Sequence, residues 1–154
     1  MVKFMMAGQR VDAQNQLLNK WLTVPELKDK LFLLGEYKNI PAFMTVLDFF
    51  CLTSKSEAFP NVIGEAMACG VPCIATDVGD SKLIIGESGR IILRSDPEEL
   101  ANVIEEMMEL NEDEKAYLSR KARKRIIKHF SLPIIAREYE ESYKRLITGT
   151  MIGY

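Results

Sequence analysis

The sequence predicts an α/β protein in which helices cover both faces of a parallel sheet, followed by a helical C-terminal segment. Two observations carry this. From Val2 to Leu93 short apolar runs alternate with helix-like stretches, the order that a parallel sheet requires. After Asp96-Pro97 the apolar residues Leu100, Val103, Ile104, Met107 and Met108 recur with helical period. With 154 residues the chain is long enough for one well-buried core.

The elements follow in order. Val2 to Ala7 is a short apolar strand closed by Gly8. Asp12 to Leu22 sets Leu17, Leu18, Trp21 and Leu22 on one side of a helix that ends before Pro25. Leu31 to Leu34 is a second strand, stopped by Gly35. Ile40 to Val46 reads as a short helix and Leu47 to Thr53 as a third strand. A helix begins at Pro60–Asn61 and ends at Gly70, with proline favourable in a first turn. Pro72 to Ala75 is a fourth strand and Arg90 to Leu93 a fifth. The helix begun at Asp96-Pro97 is followed by two more, Leu118 to Phe130 and Leu132 to Ile147. Residues 148–154 read as a loose tail after a single domain over 1–147. Met5, Met6, Met67, Met107 and Met108 are expected to fill the core.

Composition excludes several classes. Twenty basic residues against 22 acidic ones leave a formal charge of −2, so no general nucleic-acid or anionic-membrane surface is expected. The run Arg120-Lys121-Ala122-Arg123-Lys124-Arg125 is the local exception and reads as a solvated helix face, with lipid or partner contact as the other reading. Cys51, Cys69 and Cys73 each sit in apolar runs typical of buried free thiols. Cys69 and Cys73 have no second thiol pair, and the single histidine, His129, is distant in sequence, so no metal is expected. No apolar run reaches the length of a membrane span and no signal peptide opens the chain, which reads as cytoplasmic.

The stretch Ser56 to Ser81 holds two glutamates, Glu57 and Glu65, with seven residues between them, around a strand-to-helix turn. In open parallel sheets ligands bind beyond the carboxyl ends of strands, where such turns lie. A helix starting near Asn61 aims free backbone N–H groups and its positive end at that place, which suits a phosphate. Glu65, four residues on, shares a face with Asn61, while Val62, Ala66 and Cys69 are expected to face the sheet. A carboxylate one turn below a diphosphate suits a vicinal ribose diol; Glu57 would stand near whatever group the phosphates carry. A first-turn glutamate is also a common dipole partner, and the pair alone leaves that reading open.

The longer string does more. Glu57-Ala58-Phe59-Pro60-Asn61-Val62-Ile63-Gly64-Glu65-Ala66-Met67-Ala68-Cys69-Gly70-Val71-Pro72-Cys73-Ile74-Ala75-Thr76-Asp77-Val78-Gly79 resembles the C-terminal domain of retaining glycosyltransferases of the GT-B fold, family 4 type. Leu33 to Tyr37, Asp96 to Ala101, and Phe130-Ser131 with Tyr139 and Tyr143 resemble it as well. The resemblance implies a Rossmann-like domain, half of a GT-B fold, that holds a UDP-sugar or GDP-sugar donor. It implies Glu57 at the transferred sugar as the catalytic residue and Glu65 on the donor ribose. It further implies Phe59, Pro60, Asn61 and Val62 around sugar and distal phosphate, and Tyr37 at the base. No metal or other cofactor is implied. The reaction would be hexosyl transfer with retention to a glycan or lipid-linked acceptor in cell-surface polysaccharide biosynthesis, by a cytoplasmic enzyme placed peripherally at the inner face of the membrane.

Three departures from the family pattern bear on this. Ala58 replaces a glycine, and Arg10 stands at the second glycine of a Gly-x-Gly turn. The family's domain also begins one strand earlier, with an Arg and a Lys that grip the diphosphate, and follows an acceptor domain; Met1 stands where its second strand begins. The chain is thus expected to be incomplete at its N-terminus, inactive alone, and inclined to self-associate through exposed sheet edges or to pair with the missing half. The alternatives are a non-catalytic nucleotide-binding or split-enzyme subunit and a GT-B sugar-nucleotide epimerase.

Overall fold

The computed structural model describes residues 2–93 and 96–148. The expected α/β class holds: parallel strands alternate with helices in a Rossmann-like manner, and the C-terminal segment is helical. The chain divides into two compact units, Met1–Phe43 and Met44–Tyr154.

In the first unit β1 (Phe4–Met6) pairs in parallel with β2 (Leu31–Leu33), Phe4 opposite Leu31 and Met6 opposite Leu33. Between them α1 (Gln16–Leu22) starts later than Asp12, because Asn15 is its cap: Oδ1 accepts the N–H groups of Leu17 and Leu18. A single 3₁₀ turn, Pro25–Leu27, leads into β2. Leu18 and Leu22 are half-buried, whereas Leu17 and Trp21 face outward, so the apolar stripe is narrower than the sequence implies. Met5 and Met6 are not core residues; each is 39% exposed, because a sheet of two strands shelters little of its surface. α2 (Ile40–Met44) closes the unit, and the Tyr37 ring lies 5.7 Å from that of Phe43.

The second unit is built on the sheet β3 (Phe50–Leu52), β4 (Cys73–Thr76), β5 (Arg90–Ile92), all parallel in that order. Every residue of β4, the central strand, is buried. Side chains of β4 alternate between two faces. Ile74 joins Ile92, Met107 and Leu118 in one cluster, with Leu100, Val103 and Ile104 of α5 (Pro97–Glu109) against it. Cys73 points the other way, its thiol 3.9 Å from the Ile63 carbonyl of α3 (Asn61–Ala68). A short helix absent from the sequence reading, α4 (Ser81–Ile85), joins β4 to β5.

Two corrections concern helix faces and ends. The buried residues of α3 are Ile63, Ala66 and Met67; Val62 and Cys69 are only half-buried, so the inward face is rotated by about one residue from the expected one. α6 (Glu112–His129) starts six residues before Leu118, at a capping box in which Asn111 and Glu114 bond each other's backbone N–H. Met67 and Met107 are buried as expected, Met108 is exposed, and Met44 is a core residue that the periodicity did not mark. α7 (Leu132–Thr148) buries no residue. Residues 149–154 of the expected tail lie outside the described residues.

Candidate functional site

At the carboxyl ends of β3 and β4 the two outgoing loops are clasped together. Thr76 Oγ1 donates to the Ser54 carbonyl at 2.7 Å, and Ser54 Oγ donates to Glu57 Oε1, also at 2.7 Å. Asp80 N–H donates to the Ala58 carbonyl at 2.9 Å. Gly79 makes this approach feasible: its φ is +51°, and a Cβ there would overlap the Glu57 and Ala58 carbonyls. Glu57 is thereby a half-buried carboxylate, fixed by the hydroxyl of a residue whose carbonyl is held by β4.

The chain then turns into α3. Phe59 is 45% exposed and rests against Phe130, ring centroids 6.1 Å apart, at the end of α6. Pro60 is buried and occupies the N-cap position, one residue earlier than a first-turn proline. Among the described residues no side chain caps the helix there and no backbone carbonyl pairs with the N–H groups of Asn61 and Val62, which are open to a ligand or water. Asn61 and Glu65 both face outward from one side of α3, as their spacing predicts. Tyr37, 45% exposed, belongs to the other unit.

Of the two positions where the family pattern has glycine, Ala58 is unstrained, for it is not among the residues with positive φ. Arg10 is: at φ +60° it occupies a left-handed conformation that glycine adopts more readily. Ser54, Thr76, Gly79 and Asp80 were not assigned site roles from the sequence. Ser54 had a readable signal, a hydroxyl three residues before a glutamate at a strand end.

The thiols lie elsewhere. Cys73 is fully buried and Cys51 and Cys69 partly so; all are free. Burial pushes the Cys51 thiol up to about 11, and raises Cys73 further, with the neighbouring Cys51 adding to it. Among the described residues no three His, Cys, Asp or Glu side chains converge in a metal-like cluster. No helix among them is long and apolar enough to cross a membrane.

Residues 1–110 match the family model described as glycosyl transferases group 1. The chain belongs to this glycosyltransferase family. It is 31% identical over 121 residues to the N-acetyl-alpha-D-glucosaminyl L-malate synthase of Bacillus anthracis, covering 76% of this chain and 31% of that protein. It is 34% identical over 125 residues to the lipopolysaccharide core biosynthesis mannosyltransferase LpsB of Rhizobium meliloti, covering 79% and 35%. Among solved structures, Anabaena HepE in complex with UDP-glucose superposes with a TM-score of 0.80 at 25% identity, over 93% of this chain and 41% of that one. A glycosyltransferase from Rickettsia africae, at 24% identity and TM-score 0.85, shares the fold over 96% of this chain and 40% of that one. The chain therefore spans between about a third and two fifths of the length of these family relatives.

Proposed function

We propose that this chain forms the donor-binding half of a retaining glycosyltransferase that moves a sugar from a UDP-sugar or GDP-sugar to a glycan or lipid-linked acceptor. The observation that carries this is the fixed Glu57 carboxylate directly ahead of the uncapped start of α3, in a family of glycosyltransferases. Glu65, one turn into α3, accepts hydrogen bonds from the ribose diol. The free N–H groups of Asn61 and Val62, with the positive end of α3, receive the distal phosphate and the negative charge that develops as it leaves. Glu57 stands at the transferred sugar, beside Phe59 and Pro60; a base-contacting role for Tyr37, which lies in the other unit, is carried over from the family resemblance alone. This charge stabilisation takes the role that a metal plays in other transferases, so no cofactor is invoked.

The pathway is cell-surface polysaccharide assembly, supported by the lipopolysaccharide mannosyltransferase among the relatives. The protein is cytoplasmic and works peripherally at the inner face of the membrane, where lipid-linked acceptors would be presented. For a chain that spans about a third of its relatives' length, no measurable transfer is expected from the pure protein, which mass spectrometry checks. The apolar, exposed β1 pairs with β2 only, among the described residues, and we propose that it drives self-association. Light scattering at low micromolar concentration checks this; a strict monomer refutes it.

The test of the donor site is calorimetry with UDP and GDP against the wild-type chain and Glu65→Ala. Removing a charged acceptor from a diol costs about 1.5–3 kcal/mol, so the variant loses most of the binding. Equal affinity in both proteins would defeat the assignment.

A further inference from the structure

One flank of α6 carries a second feature. Lys121, Lys124, Arg125 and Lys128 recur at i, i+3, i+4 and i+7 and so form one stripe. With Gly86 and Glu87, at the end of α4, they line an open groove of about 340 Å³. Four cations thus meet a single carboxylate. Lys121 pairs with Glu87 at 3.3 Å, but Lys124 and Lys128 have no ion-pair partner among the described residues.

Arg125 organises the groove rather than waiting for a ligand. Its Nε donates to the Ile84 carbonyl at 2.7 Å and its Nη2 to that of Leu83 at 2.5 Å, which satisfies the end of α4. Gly86 is required for this, because its φ is +54° and a Cβ would lie 2.8 Å from Arg125 Nε. Two apolar side chains stand out beside the cations: Leu83 on α4, 58% exposed, and Ile127 on α6, 55% exposed.

We infer that this face docks on the surface of a bilayer rich in anionic phospholipid. The cations meet lipid phosphates, while Leu83 and Ile127 enter the headgroup boundary, the division of labour expected of an interfacial patch. A built site for one free phosphate would hold buried donors aimed inward. Here the one ordered guanidinium is committed to carbonyls, Lys121 is half-buried against Glu87 and the Tyr117 ring, and Lys124 and Lys128 are exposed on flexible stems, which suits a diffuse layer of charge. The inference rests on the peripheral placement proposed above and supplies the residues for it.

Flotation of the whole chain with vesicles tests it, comparing phosphatidylcholine alone with phosphatidylcholine containing phosphatidylglycerol. Wild type is expected to float only with the anionic vesicles. Lys121→Gln/Lys124→Gln/Lys128→Gln should weaken partitioning on the order of a hundredfold, about fivefold for each lysine. Lys115→Gln/Lys144→Gln, which removes charge elsewhere, should leave it nearly intact. The pair Lys124→Gln/Lys128→Gln, both exposed and without an ion-pair partner among the described residues, repeats the test where folding has little to lose. If wild type ignores anionic vesicles, the peripheral placement falls and this inference with it. If wild type binds and the lysine variants bind equally well, the patch is wrong while the placement stands. If millimolar inorganic phosphate fully displaces the protein from vesicles, the groove is an ion site and the inference is overturned.

Discussion

The Ser54 hydroxyl donates a 2.7 Å hydrogen bond to Oε1 of Glu57, and the Ser54 carbonyl is in turn held by Thr76 Oγ1 from the neighbouring strand. A carboxylate that is to face a sugar at one fixed angle needs such a brace, because a free glutamate side chain samples several rotamers. Ser54→Ala is expected to cost about 1 kcal/mol of unfolding free energy in urea. It should also shrink the extra affinity of a nucleotide sugar over the free nucleotide about fivefold in calorimetry, an effect of roughly 1 kcal/mol on the sugar contact alone. Ser54→Thr, which keeps the hydroxyl, should restore both. Loss of stability without any change in that increment would leave Ser54 a merely structural residue.

Gly79 and Gly64 make opposite predictions from the same substitution. Alanine at Gly79 adds a Cβ against the Glu57 and Ala58 carbonyls at φ +51°, where both the clash and the left-handed backbone are unfavourable. A loss of about 3 kcal/mol or more is expected. Alanine at Gly64, inside α3 with nothing within 4 Å, should instead stabilise by about 0.5–1 kcal/mol through helix propensity. Urea midpoints of the two variants on either side of wild type would bear this out. If Gly79→Ala melts like wild type, the two loops do not touch as described.

These cases show what the sequence could and could not convey. Strand order and, apart from the short α4, helix order were legible because most elements carry their own period and their own stop, as at Gly8, Gly35 and Gly70. The turn from β3 into α3 was legible because Pro60-Asn61 and the two glutamates are close in sequence. The brace on Glu57 was not, since it depends on Thr76, 22 residues beyond Ser54, and on Gly79 approaching the Ala58 carbonyl. Met5 and Met6 misled for a related reason: an apolar strand reads as buried, yet how many neighbours shelter it is a property of the sheet. The early start of α6 lay in plain view as Asn111 and Glu114, but the apolar period that marks a helix begins only at Leu118.

Alkaline pH should find a weakness at Cys51. Its thiol titrates near 9 in an unfolded chain and about 11 in the folded one, because burial disfavours the thiolate. Between those values the unfolded state has released a proton that the native state keeps, so stability falls as pH rises. It is fully present below pH 9 and lost progressively toward pH 11, by roughly 2–3 kcal/mol from this group at about 1.4 kcal/mol per pH unit. Cys51→Ala should flatten that slope relative to wild type in urea titrations run from neutral to alkaline pH. Parallel slopes for the two proteins would show that Cys51 does not titrate differently on folding.

Arg10 offers the test with the least usual sign. Most substitutions to glycine destabilise, since glycine gains freedom in the unfolded chain worth about 0.4–1 kcal/mol. Arg10, however, sits at φ +60°, where a side chain bearing a Cβ is disfavoured by roughly 1–2 kcal/mol. Its carbonyl accepts a 2.9 Å hydrogen bond from Asn15 Nδ2, the residue that caps α1, so the turn is held in this conformation whatever stands at position 10. The side chain makes no ion pair among the described residues that glycine would forfeit. Relief of the backbone therefore exceeds the entropy gained by the unfolded chain, and Arg10→Gly is expected to stabilise by about 0.5–1 kcal/mol. The urea midpoint should rise with the slope unchanged. Arg10→Ala, which keeps the Cβ, should leave the midpoint where it is; a midpoint that falls in the glycine variant would mean that Arg10 makes contacts worth more than its strain.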